Sequence, residues 1–259
     1  MITSFCNSME DYEWLAKVIC LDKNSERYQK FSINNAHLKH QIFKGISGKD
    51  LSKEEVIKSG LYSKSLLDSN LVSDGAIGCA ASHRELWKEV IRTEKPMLIL
   101  EDDVITHKNI TYFINENYRQ MMELDIIFFT INTNTILQSV SPEGMETVTM
   151  FRDLYPSEEW IKQTLSNTKL KAVRPHKLVK AFGSSAYFIT PTGACKMDEK
   201  TFPLKGDTIN IPKINEKLIS VAHDVEANRF YHELDAYICL PFLAFTPNID
   251  STTNKNNRQ

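Results

Sequence analysis

The feature that most constrains the fold is the segment 96–104, in which four apolar residues lead directly into three acids. A short apolar run closed by polar residues is typical of a buried strand, so Glu101, Asp102 and Asp103 are expected at its carboxyl end. Ligands bind at that end in open α/β sheets. Clustered carboxylates repel one another unless a cation joins them, and their hard oxygens suit Mg²⁺ or Mn²⁺. The alternative is a solvated acidic loop.

Strands and helices alternate through the first half of the chain. The strands are predicted at 17–22, 41–45, 97–100 and 125–131, and the helices at 26–38, 52–60, 75–93 and 109–124. This alternation predicts an α/β fold, with a mixed, mostly parallel sheet flanked by helices. In the second half we expect helices from Pro156, from Pro191 and at about 221–234, and strands at 184–190 and 236–245.

Composition and chain termini narrow the class of protein. The formal net charge of -2 argues against broad nucleic-acid binding. The five cysteines have no paired spacing and no zinc pattern, so we interpret them as reduced thiols of a cytoplasmic protein. The first ten residues lack a signal-peptide pattern. The longest apolar window, 236–245, is shorter than the roughly 20 residues that span a bilayer, so any contact with the inner membrane is expected to be peripheral.

A second informative segment opens the helix before the acidic strand, and reads Gly75-Ala-Ile-Gly-Cys-Ala-Ala-Ser-His83. Gly75 and Gly78 allow a backbone to approach closely. Ser82 and His83 offer hydrogen bonds near a helix N-terminus, where the dipole favours anions. The glycine spacing fits neither a dinucleotide fingerprint nor a P-loop.

Several motifs occur together in a fixed order. They are Val18-Ile-Cys-Leu-Asp22 followed by Arg27, Phe43-Lys-Gly-Ile-Ser47, Gly75-x-x-Gly-Cys-x-x-Ser-His-x-x-x-Trp87 and Leu100-Glu-Asp-Asp-Val104. In order and spacing they resemble glycosyltransferase family 25, which contains bacterial lipopolysaccharide and lipooligosaccharide sugar transferases and the collagen hydroxylysine galactosyltransferases. The resemblance covers roughly 17–245 and is sharpest at 75–104.

The resemblance implies a GT-A fold, a nucleotide-sugar donor, a divalent metal, either Mn²⁺ or Mg²⁺, and inversion at the anomeric carbon. UDP-galactose is the commonest donor among the bacterial members, and the acceptor would be a lipooligosaccharide glycolipid. A single domain at 17–247 would hold a nucleotide-binding half at about 17–131 and an acceptor half at about 151–247. An N-terminal extension at 1–16 and a polar tail at 248–259 flank it.

Two other functions compete with transfer. The first is a catalytically inactive paralogue that binds a nucleotide-sugar and acts as partner of another transferase. The second is a metal-dependent phosphohydrolase, which needs further carboxylates or histidines in a two-metal arrangement. Beyond the acidic triplet the sequence supplies only Asp224 and scattered histidines.

The resemblance assigns the donor side of the site as follows. Asp103, the last acid of the motif, is expected to bind the metal, while Asp102 and Glu101 contact the ribose or position Asp103. Alternatively, Glu101 has a purely structural role and makes a hydrogen bond at the end of the strand. Arg27 is expected to contact uridine or phosphate, since a guanidinium matches phosphate geometry. Its alternative is a solvated helix residue.

The helical motif adds further candidates. Ser82 and His83 are expected to contact the donor, with helix packing as the alternative. We interpret Cys79 as a packing residue, since inverting transfer needs no covalent intermediate. Trp87 lies on the same helical face as His83 and is expected in the core.

The second half supplies the remaining candidates. Asp224 aligns with an aspartate of the family and is expected to be the general base or to hold the acceptor, with a helix N-cap as its alternative. His223 is a candidate metal ligand, and its alternative is a structural role. Ser184 and Ser185 are expected to line the donor-sugar pocket. The irregular composition of 132–150 suggests a lid that closes over the donor.

Overall fold

The computed structural model describes residues 13–151, 155–211 and 216–248. Most of the predicted N-terminal extension and all but the first residue of the predicted polar tail lie outside the described residues, as does Cys6. The first described strand begins at Leu15, two residues before the predicted start of the domain.

Strands and helices alternate along the chain as expected. The strands are β1 Leu15–Cys20, β2 Gln41–Lys44, β3 Met97–Glu101, β4 Ile105–Thr106, β5 Ile126–Phe128, β6 Ile136–Val140, β7 Glu146–Met150, β8 Arg174–Lys180, β9 Ala186–Ile189, β10 Thr208–Ile211, β11 Glu216–Ile219, β12 Ala236–Leu240 and β13 Ala244–Phe245. The α-helices are α1 Glu26–Asn34, α2 Lys53–Lys58, α3 Lys64–Asp68, α4 Asp74–Thr93, α5 Ile110–Glu116, α6 Tyr118–Met122, α7 Glu158–Asn167, α8 Pro191–Thr201 and α9 His223–Ala227.

A nine-stranded sheet forms the centre of the molecule, in the order β2-β1-β3-β9-β5-β12-β8-β6-β7. The strands β2, β1, β3, β5, β12 and β6 run in one direction, and β9, β8 and β7 run in the other. Two small ribbons, β10 with β11 and β4 with β13, lie outside it. The predicted class, a mixed sheet flanked by helices, is confirmed and agrees with a Rossmann-like GT-A fold.

Helices cover both faces of the sheet, which explains the unbroken apolar run in β3. Met97 and Ile99 pack in one cluster with residues of α4 and α8. Leu98 and Leu100 pack in a second cluster with residues of α1, α5 and α6. All four side chains are fully buried, and each such burial contributes roughly 1.5–3 kcal/mol. The carboxyl end of β3 is therefore held rigidly.

The helix α4 forms because its sequence satisfies both of its ends. The Ser73 hydroxyl accepts a hydrogen bond from the Ala76 backbone N–H, and Asp74 lies in the first turn, where the helix dipole favours an acid. Arg92 lies in the last turn, and Glu94 ends the helix in the left-handed conformation with φ of 54°. In its first half, Gly78 packs closely against the loop after β2.

Three predictions of local structure are wrong. The segment 132–150, expected to be irregular, contains the hairpin β6–β7 at the sheet edge, and its role as a lid stays a prediction. The helix expected at 109–124 is divided at Asn117 into α5 and α6. The helix expected at 221–234 is only the short α9, which ends at Ala227 and is followed by a 3-10 turn at Tyr231–Glu233.

Among the described residues, no helix is both long and apolar enough to cross a bilayer.

Candidate active site

The acidic triplet lies where the sequence predicts it, at the carboxyl end of β3. Glu101 is the last residue of the strand, and Asp102 and Asp103 follow in a turn. Arg27, in the first turn of α1, is surrounded by all three. Its Nε lies 2.5 Å from Asp102 Oδ1, and its Nη2 lies 3.1 Å from Asp103 Oδ2 and 4.0 Å from Glu101 Oε2. The solvated alternatives for the triplet and for Arg27 are therefore wrong.

Burial makes the ionised form of this cluster costly. Burial raises the pKa of Asp103 to about 6, and the negative charge of Glu101 adds to this rise. Arg27 and a hydrogen bond from Thr246 lower the pKa and offset part of it. Burial also raises the pKa of Glu101. For Arg27 burial opposes the charge, but Asp103, Asp102 and Glu101 more than offset it and raise the pKa of the guanidinium. One cationic side chain thus faces three acids.

The oxygens of this cluster suit a hard divalent cation. Asp103 Oδ1 is buried and has no hydrogen-bond partner among the described residues. A second cation there would offset both the unpaired oxygen and the excess of negative charge. Asp103, with Asp102 beside it, therefore offers the oxygen ligands that Mn²⁺ or Mg²⁺ prefers.

A buried group of rings lies behind the triplet. His83 and Trp87 of α4 both bond the hydroxyl of Tyr187, with His83 Nδ1 at 2.7 Å and Trp87 Nε1 at 2.8 Å from its oxygen. The His83 ring stacks on His223, with centroids 4.5 Å apart. His83 Nε2 lies 3.6 Å from Glu101 Oε1. The expected core position of Trp87 is confirmed, and the structure brings His83 to the acidic triplet.

Both histidines are neutral in this setting. Burial lowers the pKa of His83 to about 3, and burial together with the neighbouring His83 lowers the pKa of His223 to about 3. Burial also raises the pKa of the Cys79 thiol well above its ordinary value, an effect to which Glu101 and Asp224 add. Cys79 is therefore a protonated thiol, in agreement with the expectation that it is not a nucleophile.

Ser82 has an internal role. Its hydroxyl accepts a hydrogen bond from the Ile46 backbone N–H at 2.9 Å and donates one to the Gly78 carbonyl at 2.7 Å. It thus joins α4 to the loop after β2, which supports helix packing rather than contact with the donor. Gly78 serves the same contact, because an added Cβ would lie 2.5 Å from the Ile46 carbonyl oxygen. The backbone that approaches this glycine belongs to the chain itself.

Asp224 does not cap α9, so the N-cap alternative is wrong: the cap residue is Ala222. Asp224 Oδ2 instead accepts a hydrogen bond from the Gly183 backbone N–H at 2.8 Å. Gly183 has φ of 91°, a conformation that favours glycine. This bond fixes the carboxylate against the loop before β9.

The two serines of that loop have different surroundings. The Ser184 hydroxyl bonds His223 Nε2 at 2.8 Å, so the structure gives His223 a buried partner. The Ser185 hydroxyl is buried and makes no hydrogen bond to any described residue, while its carbonyl accepts from the Glu101 backbone N–H at 2.9 Å. Of the two, Ser185 is the one whose hydroxyl has no partner among the described residues.

Two residues of the site were missed by sequence reasoning. Thr246, just after β13, bonds Asp103. Tyr155 donates a hydrogen bond to Asn134 Oδ1 at 3.0 Å, and burial raises its pKa to about 12, with Asp103, Asp224 and Glu101 adding to the shift. A polar residue directly after a strand was the available signal for Thr246.

The chain belongs to glycosyltransferase family 25. The family model, described as glycosyltransferase family 25 (LPS biosynthesis protein), matches residues 16–210, a span that includes the acidic triplet, Arg27 and the α4 motif.

Individual relatives are more distant. The chain is 25% identical over 179 residues to the lipooligosaccharide biosynthesis protein lex-1 of Haemophilus influenzae, covering 67% of this chain and 51% of that protein. It is 28% identical over 123 residues to a glycosyltransferase 25 family member of Drosophila pseudoobscura pseudoobscura, covering 43% of this chain and 20% of that protein. The chain thus spans between a fifth and about half of the length of these relatives.

Among solved structures, the chain is similar to A197 from STIV, with a TM-score of 0.37 and 10% identity, over 87% of this chain and 81% of that one.

Proposed function

We propose that the protein is a metal-dependent inverting hexosyltransferase, which moves a hexose, galactose first among the candidates, from a UDP-sugar to a lipooligosaccharide acceptor. The observation that carries the proposal is the pairing of Arg27 with three carboxylates at the end of β3, with one Asp103 oxygen left unpaired. Family membership supports the reaction class. A glycolipid acceptor agrees with a cytoplasmic protein that visits the inner membrane.

The donor side has to bind a diphosphate and stabilise the charge that develops on it. A divalent ion held by Asp103 would act as a Lewis acid on the phosphate oxygens. The Arg27 guanidinium, already within 3.1 Å of Asp103, matches the geometry of a phosphate and would bind it beside the metal. Asp102 holds Arg27 in place, and Ser185 offers a hydroxyl to the sugar.

The acceptor side has to remove a proton. In the proposed reaction the acceptor oxygen bonds to the anomeric carbon, the bond from that carbon to the diphosphate breaks, and UDP leaves. The acceptor proton passes to Asp224, whose Oδ2 is held by the Gly183 N–H and whose other oxygen is left for the hydroxyl. Attack opposite the leaving group inverts the anomeric carbon.

The test is a screen of UDP-hexoses with Mn²⁺ and with Mg²⁺, read as UDP release with and without a lipooligosaccharide acceptor. We expect release with one donor, and anomeric inversion in the product by NMR. Asp103→Ala should abolish release, while Asp68→Ala, an exposed acid that pairs with Lys53, should leave it unchanged. Folded protein that binds UDP without turning over any donor would support the inactive paralogue instead.

A further inference from the structure

Three side chains with metal-binding atoms converge behind the acidic triplet. Cys79 and His83 lie four residues apart on one face of α4, and His223 opens α9. One ligand atom from each lies within 4.8 Å of the other two. His83 and His223 are buried and Cys79 is largely so. Two separate elements thus bring a thiol and two imidazoles to one point.

The hydrogen bonds of the histidines leave ring nitrogens for a ligand. His83 bonds the Tyr187 hydroxyl through Nδ1, and its buried Nε2 has no hydrogen-bond partner among the described residues. His223 bonds the Ser184 hydroxyl through Nε2. Histidines that bind metals usually engage the second ring nitrogen in this way, which fixes the tautomer and the ring orientation. An unpaired buried nitrogen is otherwise costly.

A carboxylate lies close to one of these three ligands. Glu101 Oε1 lies 3.6 Å from His83 Nε2. Two ligands bound at about 2.1 Å to one tetrahedral ion lie roughly 3.4 Å apart. The carboxylate and the imidazole therefore already have the separation of two metal ligands. The ligand atoms of Cys79, His83 and His223, which lie within 4.8 Å of one another, would need to close by about an ångström.

We propose that Cys79, His83 and His223, with Glu101 as fourth ligand, form a binding site for a divalent transition metal of the zinc class. A thiolate and imidazoles favour such an ion, whereas Mg²⁺ and Mn²⁺ prefer the all-oxygen surroundings of Asp103. The site is distinct from the one proposed for catalysis. Because Glu101 lies between the two, an ion here would hold the first acid of the triplet in place.

The test uses the full chain, stripped of metal by a chelator and titrated with Co²⁺, which reports thiolate ligands by a charge-transfer absorption band. We expect one equivalent to bind with this band, and Zn²⁺ to displace it. Cys79→Ser should remove the band and weaken Co²⁺ binding by more than about tenfold. Cys195→Ser, which alters an exposed thiol on α8, should change neither.

Two further measurements separate this site from the catalytic proposal and from misfolding. The Asp103→Asn protein should keep the Co²⁺ charge-transfer band even if it no longer transfers the sugar. The His223→Ala protein should no longer bind Co²⁺ tightly. In the unmodified protein, Zn²⁺ should protect Cys79 from alkylation, as mapped by mass spectrometry, and leave Cys195 reactive. A charge-transfer band that survives Cys79→Ser, or equal alkylation of Cys79 with and without Zn²⁺, would overturn the proposal.

Discussion

At Asp103, the proposed binding of a metal and the stability of the fold have opposite requirements. Its pKa is raised from 3.8 to about 6, so the folded protein retains a proton over a pH range in which the unfolded chain has lost it. Stability therefore falls as the pH rises from about 4 to 6. At about 1.4 kcal/mol per pH unit, the ionised carboxylate costs the metal-free protein about 3 kcal/mol at neutral pH.

Asp103→Asn should consequently stabilise the metal-free protein. We expect the free energy of unfolding to rise by about 1–3 kcal/mol at pH 7 and to change little at pH 4, as measured by urea denaturation. Asp102→Asn is the matched control. Asp102 makes the closest contact with Arg27, at 2.5 Å, so its replacement removes an attraction and should not stabilise. If both substitutions changed the free energy of unfolding equally, the raised pKa would not belong to Asp103.

Tyr187 holds the buried rings together through a single oxygen. That oxygen bonds His83 Nδ1 and Trp87 Nε1, and Tyr187 is fully buried. Tyr187→Phe leaves two buried nitrogens unpaired and should cost about 2–4 kcal/mol in unfolding experiments. Tyr62→Phe removes only one hydrogen bond, to the Val221 carbonyl, and should cost about 1 kcal/mol. A loss no larger than that of Tyr62→Phe would show that the Tyr187 hydroxyl is dispensable.

At the scale of elements, the approach of α4 to the loop after β2 depends on Gly78. An added Cβ would lie 2.5 Å from the Ile46 carbonyl oxygen and 2.8 Å from the Gly48 backbone nitrogen. Gly78→Ala should force the helix and the loop apart and cost about 1–3 kcal/mol, measured by thermal and urea unfolding.

Gly45→Ala is the comparison for this substitution. There the added Cβ would lie 3.3 Å from side-chain carbons of Ile19 and Leu21, which can shift, and 3.5 Å from the Cys20 backbone carbon, an ordinary van der Waals contact. We expect a loss below about 1 kcal/mol. If both substitutions cost the same, backbone contact at Gly78 does not determine how α4 is placed.

The elements that sequence reasoning found are those specified by local pattern. The run into Glu101 marks β3 by itself, and Ser73 caps α4 within its own turn. The hairpin β6–β7 was missed, although Pro142 and Gly144 mark its turn and β7 reads as alternating Glu-Thr-Val-Thr-Met. The weak apolar character of β7, an exposed edge strand, concealed it.

Contacts between distant segments were not predictable from one sequence. The bond between His83 and Tyr187 joins residues 104 positions apart, and the bond from Gly183 to Asp224 joins residues 41 positions apart. The pattern and spacing of residues in a sequence describe one helix or strand at a time. These hydrogen-bonded pairs instead depend on the position of β9 between β3 and β5. Tertiary packing therefore determined which of the predicted residues meet.

At the scale of the whole molecule, the site depends on segments beyond the family match at 16–210. His223, Asp224 and Thr246 come after it, and β12 occupies the sheet between β5 and β8. Removing that strand would open the sheet at its middle.

A chain ending at Ile211 should therefore lose cooperative thermal unfolding, followed by circular dichroism, because two central strands lose their shared neighbour. A chain ending at Asn248 keeps every described strand and is the appropriate comparison. A sharp transition in the shorter chain would mean that the segment up to Ile211 folds independently of β12.

The position of β12 also has a consequence for biosynthesis. While the polypeptide is still emerging from the ribosome, β5 and β8 have each been made but face an empty gap, and unpaired strand edges are prone to aggregation. The gap closes only when residues 236–240 leave the exit tunnel. Nascent chains of this protein are thus expected to need a chaperone until residues 236–240 have emerged and β12 has paired with β5 and β8.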